Sequence, residues 1–129
     1  MPQIKIYGVK KHLNPIQAKL SDVIHSCVVD ALSFPEDKRS HRIFALEAED
    51  FYYPLGRSPR YTILEITMIA GRSLETKKNL IRLLFERIKT ELNLAPADLE
   101  IAITEIPIYN WGFRGQPGDE VTLNYKIEV

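Results

Sequence analysis

The chain holds a single cysteine, Cys27, so it can form no internal disulfide. Cys27 sits in a helical apolar pattern, which makes it a buried thiol rather than a nucleophile and fits a reducing compartment. Surplus charge is also lacking. The 17 basic and 17 acidic residues cancel, which leaves no bulk field for nucleic acid or an anionic membrane. No apolar run approaches the ~18 residues that span a bilayer. The start Met1-Pro2-Gln3-Ile4-Lys5 has no signal-peptide core, so a cytoplasmic protein is expected. The three histidines, His12, His25 and His41, have no ligand spacing supported by cysteines, so no metal is implied. What remains is 129 residues with 45% hydrophobic and 26% charged side chains, enough for one globular domain with a real core.

The patterning gives an α/β order. Ile4 and Ile6 alternate with polar neighbours as in a half-buried strand. Gly8 to Leu13 reads as a basic loop, and Asn14 followed by Pro15 reads as the capped start of a helix. Ile16, Leu20, Val23, Ile24, Cys27 and Ala31 form its apolar stripe. Ser33-Phe34-Pro35-Glu36-Asp37 ends that helix, and Arg42 to Leu46 reads as a second strand. Residues 48–61 form a long connecting loop rich in aromatics and arginine, either folded over a site or packed on the sheet edge.

The second half repeats the first. Adding 61 to Leu20, Val23, Cys27 and Ala31 gives Ile81, Leu84, Ile88 and Leu92, and Pro35 and Asp37 map onto Pro96 and Asp98. Pseudo-repeats over about 2–47 and 62–107 imply a two-layer α+β sandwich. Two tandem β-α-β units would make a four-stranded mixed sheet with two helices on one face. The other face then needs covering, and another copy of the chain is the expected partner. The closing segment 108–129, and Val121 to Val129 in particular, is expected to include a strand that could pair across a subunit boundary.

The organising stretch is Ile66 to Lys78. An apolar strand turns at Gly71-Arg72-Ser73 into a helix that Ser73 can cap. Arg72 is thereby held beside the free N–H groups of a helix N-terminus. Guanidinium and helix end can converge there on a small anion such as a carboxylate.

These features together resemble the tautomerase superfamily, which includes 4-oxalocrotonate tautomerase, macrophage migration inhibitory factor (MIF), malonate semialdehyde decarboxylase and cis-3-chloroacrylic acid dehalogenase. Met1-Pro2 matches its processed N-terminal proline, and Gly71-Arg72-Ser73 with Glu75, Lys77 and Leu80-Ile81 matches its arginine corner. Ile103-Thr104-Glu105 and Trp111-Gly112-Phe113-Arg114-Gly115 look like the last strand and aromatic-glycine turn of the short tautomerases. Pro35-Glu36-Asp37 and His25 look like the longer members.

The resemblance implies the tautomerase/MIF fold, a homotrimer and a cofactor-free keto-enol isomerase acting on a small 2-keto or enol carboxylate. Pro2 would shuttle the proton, and Arg72 would bind the carboxylate or stabilise the enolate. Candidate substrate contacts are Lys11, His12, His25, Arg39, Trp111 and Arg114. His25 also reads as a satisfied core histidine and Trp111 as ordinary packing, while Arg39, Arg57, Arg60 and Arg114 compete as second carboxylate binder.

Departures from the relatives narrow the chemistry. Ile69 and Ala102 stand where the dehalogenase has an arginine and a tyrosine. Lys38 stands where the decarboxylase has an aspartate, and Glu100 where the short tautomerases have an arginine. The alternatives are a decarboxylase or hydratase/dehalogenase of the same superfamily, or a catalytically silent trimeric binding module.

Overall fold

In the computed structural model, which describes residues 2–129, four strands form one mixed sheet. They are β1 (Gln3–Val9), β2 (His41–Leu46), β3 (Thr62–Ile69) and β4 (Leu99–Ile106), in the order β2-β1-β3-β4. β1 runs parallel to β2 and antiparallel to β3, and β3 runs parallel to β4. Three helices accompany them: a single turn α1 (Lys10–Leu13), α2 (Gln17–Leu32) and α3 (Leu74–Leu92).

Strand alternation sends Ile4, Ile6, Leu64, Ile66 and Met68 to the helix side, where they meet Leu20, Ile24, Val28, Leu80, Leu84 and Ile88 in one core. Each such side chain, when fully buried, contributes about 1.5–3 kcal/mol. The opposite face, with Lys5, Tyr7, Arg42, Phe44, Glu65 and Glu100, carries no helix and stays half-buried or exposed. No helix among the described residues is long and apolar enough to cross a membrane.

The tandem repeat is present, but its register is 60 rather than 61. Leu20 answers Leu80, Ile24 answers Leu84, and Val28 answers Ile88. Ser33 and Asn93, both left-handed, close the two long helices. The strand pairings agree, since Ile4 faces His41 and Leu64 faces Ile101. Ile81 is accordingly half-buried and Leu80 takes the core position. The 61 register matched apolar helix residues one position out of step, which a stripe several residues wide permits, and Pro35/Pro96 and Asp37/Asp98, loop residues that need not obey the core periodicity, fitted the same shift. The repeat also extends into the connecting loop. The 3-10 turn Ala48–Asp50 is matched by Ile108–Asn110, Phe51 by Trp111 and Tyr53 by Phe113.

Two local expectations change. The basic stretch after β1 is helical, and Asn14 ends α1 instead of starting α2, its N–H bonding Lys10 O. Leu13, 2% exposed, closes that turn onto the core beneath Gly8, which leaves Pro15 in the link and starts α2 at Gln17. The closing residues 121–129 form no strand with the sheet of their own chain. Val129 O instead accepts from Ser73 N at 3.1 Å and from Thr76 Oγ1 at 2.8 Å, satisfying donors at the start of α3.

Candidate active site

The register of β1 on β3 decides where the site lies. Gln3 pairs with Thr67, so Pro2 lies alongside the end of β3 that leads into the Gly71-Arg72-Ser73 corner. Pro2 is buried. Removal of Met1, which the resemblance implies, concerns a residue outside those described.

At the corner Gly71 adopts φ +141°, and a Cβ there would meet Ile127 Cγ2 at 2.7 Å. Glycine is needed for both the turn and the close approach of the tail. Ser73 Oγ accepts from Thr76 N at 3.1 Å and caps α3. Arg72 is thereby turned inward and is only 4% exposed. Its Nη1 donates to Ile69 O at 3.2 Å, while Nε and Nη2 have no hydrogen-bond partner among the described residues. Glu105 bears on Arg72 electrostatically, yet its carboxylate is held by Lys77 at 2.7 Å. Burial pushes the guanidinium below its ordinary pKa. A buried cation with two unused donors is poised for an anion that brings paired acceptors.

A cleft of about 230 Å³ is lined by Gln3, Lys38, Trp111, Gly112, Phe113, Arg114, Leu123 and Tyr125, the last of which bears electrostatically on Arg72. One wall is the hairpin of β5 (Gly112–Phe113) and β6 (Gln116–Pro117). Its two-residue turn, Arg114 at φ 54° and Gly115 at φ 76°, has the twist that tight hairpins favour. Arg114 Nη1 donates to Thr122 O at 3.2 Å, and the guanidinium lies 5.7 Å from the Phe113 ring centroid. Lys38 Nζ donates to Asn124 Oδ1 at 2.7 Å and sits 5.2 Å from the Tyr125 ring centroid. Among the described residues no carboxylate lines the cleft.

The other residues singled out in the sequence fall elsewhere. Lys11 and His12 lie beyond the far end of β1 and line a separate groove of about 380 Å³ with Val9, Leu46, Glu47 and Tyr53. They occupy the pseudo-symmetric counterpart of the arginine corner, so a single chain does not bring them to Pro2. Loop 48–61 also belongs to that end. Phe51 and Tyr61 pack there with Tyr53, and Asp98 accepts from Ser58 N and Oγ at 2.7 and 2.6 Å.

His25 is 5% exposed and its Nε2 donates to Glu36 O at 2.7 Å, a satisfied core histidine. Arg39 is committed to Asp22 at 2.7 Å and Ser21 at 3.3 Å. Arg60 donates to Asn93 O and Leu92 O at the C-terminus of α3. Cys27 is buried, and burial pushes its thiol above the ordinary value, away from reactivity. Reading the sequence missed Lys38 and Tyr125 as site residues. Lys38 carried a signal in standing where the resemblance to the decarboxylase expects an aspartate; Tyr125 carried none.

A profile of the tautomerase enzyme family matches residues 38–114. Over 100 residues the chain is 32% identical to the probable tautomerase YrdN of Bacillus subtilis (strain 168), covering 74% of this chain and 77% of that protein. Among solved structures, FG41 malonate semialdehyde decarboxylase inhibited by 3-bromopropiolate superposes with a TM-score of 0.77 at 27% identity, covering 86% of this chain and 88% of that one. A fused 4-OT solved as an asymmetric trimer gives a TM-score of 0.78 at 26% identity, covering 91% and 96%.

Proposed function

The chain belongs to the tautomerase enzyme family, and on that premise we propose that it is a cofactor-free keto-enol tautomerase of small 2-keto or enol carboxylates. The observation that carries this reading is Arg72, buried with two unused donors at the end of the sheet where Pro2 begins. Arg72 takes the substrate carboxylate. Pro2, once it is the chain terminus, is a secondary amine, and its burial favours the neutral, basic form. A substantial neutral fraction near pH 7 suits proton transfer beside a carbonyl. In ketonisation, Pro2 removes the enol hydroxyl proton and returns one to the adjacent carbon. Trp111 and Phe113 shelter the exchange from water.

Lys38 in place of an aspartate supports tautomerisation over decarboxylation, because a second cation holds an anionic substrate and supplies no carboxylate. The working unit is a homotrimer, a reading supported by the trimeric fused 4-OT and by the sheet face that carries no helix. A cytoplasmic setting suits the lone buried thiol.

The test is the ketonisation rate of phenylenolpyruvate with processed protein. Pro2→Ala should lower kcat/KM at least 100-fold, and a wild-type rate in that variant overturns the reading.

A further inference from the structure

Ala102 offers no hydroxyl at its position in β4, and among the described cleft-lining residues the only hydroxyl is on Tyr125 of the C-terminal tail. We infer that Tyr125 is a catalytic residue that hydrogen-bonds the substrate oxygen as enolate charge develops there; this rests on the tautomerase reading of the same site.

Three observations converge on it. Tyr125 lines the cleft that adjoins the Pro2 end of β1. Its ring is set from two sides, edge-on to Phe34 with centroids 4.8 Å apart at 72°, and beneath Lys38, which Asn124 anchors. Phe34 is itself 4% exposed, so the support is rigid. Arg72 and Arg114, both positive, bear on the Tyr125 phenol. An oxygen gaining negative charge beside that phenol therefore meets positive charge in a cleft that no described carboxylate lines, the arrangement that stabilises an oxyanion.

In ketonisation the enol O–H bond breaks and its proton goes to the Pro2 nitrogen. The oxygen lone pair becomes the new C=O π bond, and the C=C electrons take a proton from the prolinium to form C–H. Tyr125 keeps its proton throughout and donates a hydrogen bond to that oxygen.

Tyr125→Phe retains the ring on Phe34 and removes only the donor. With phenylenolpyruvate as probe, kcat should fall 10- to 100-fold with KM within about threefold and the thermal midpoint unchanged. The alkaline limb of the kcat profile, where a deprotonated phenol can no longer donate, should disappear. Tyr125→Leu should lower both kcat and the midpoint. Wild-type turnover that vanishes in Pro2→Ala but persists in Tyr125→Phe overturns the assignment and leaves the tautomerase reading standing. A Tyr125→Phe effect confined to KM overturns it too. Absence of wild-type turnover overturns both.

Discussion

Arg72 pays no obvious structural return for its burial. Three elements hold it: the Gly71 turn, the Ser73 cap and the tail. Yet Nε and Nη2 find no protein acceptor among the described residues. Removing an underpaired buried charge is commonly neutral or stabilising. Arg72→Met should therefore leave chemical-denaturation stability unchanged or raise it by ~1–3 kcal/mol, while turnover falls at least 100-fold. A strongly destabilised variant would instead make Arg72 a structural residue.

His41 is a second residue whose setting predicts behaviour. Burial, reinforced by Arg39 and His25, lowers its pKa to about 4, with Asp22 opposing, and Ser21 Oγ lies 2.7 Å from its Nδ1. The unfolded histidine titrates near 6.5, so between that pH and about 4 the unfolded chain binds the proton more readily. The stability from neutral His41 is complete above the unfolded value and is lost as pH falls through that window. Urea titrations from pH 7 to 4 should show a loss on the order of 1–2 kcal/mol, discounted for partial exposure, that His41→Gln largely removes.

At the scale of elements, the tail and the arginine corner form one unit. Ile127 fills the space a Gly71 Cβ would need, and Val129 O serves two donors at the head of α3. Gly71→Ala must push Ile127 aside and adopt an unfavourable φ, and should cost about 1–3 kcal/mol in equilibrium unfolding. Substrate binding should weaken with it. Alternation and helical period made the four main strands and two long helices readable, because they reflect which face meets the core. The α2 start was misread because Asn14 and Pro15 carry the local marks of a helix start, while burial of Leu13 closes a turn just before them. The repeat was visible, but only the paired β registers and matching left-handed caps set its step at 60.

At the scale of the whole molecule, the sheet has one face covered by α2 and α3 and one without a helix. Tyr7 stacks on Phe44 there at 4.8 Å, and Phe44 remains 37% exposed. If three copies cover this face, assembly and stability are linked through concentration. Phe44→Glu should shift the species seen by analytical ultracentrifugation from trimer towards monomer and lower the midpoint, while a trimer unaffected by it would place the interface elsewhere.

The α/β order, the duplication, the arginine corner and the kinship carried by Met1-Pro2 and Gly71-Arg72-Ser73 are legible in the chain, because each depends on neighbouring residues or on periodicity. Which ends meet is set by the folded sheet. The antiparallel pairing of β1 with β3 sets Pro2 at the Arg72 end and leaves Lys11 and His12 at the other. The fold of the tail, which no local pattern specifies, brings Tyr125 and Lys38 to the cleft. Contacts between residues far apart in sequence depend on strand register and side-chain packing, and neither is encoded in a short stretch of chain.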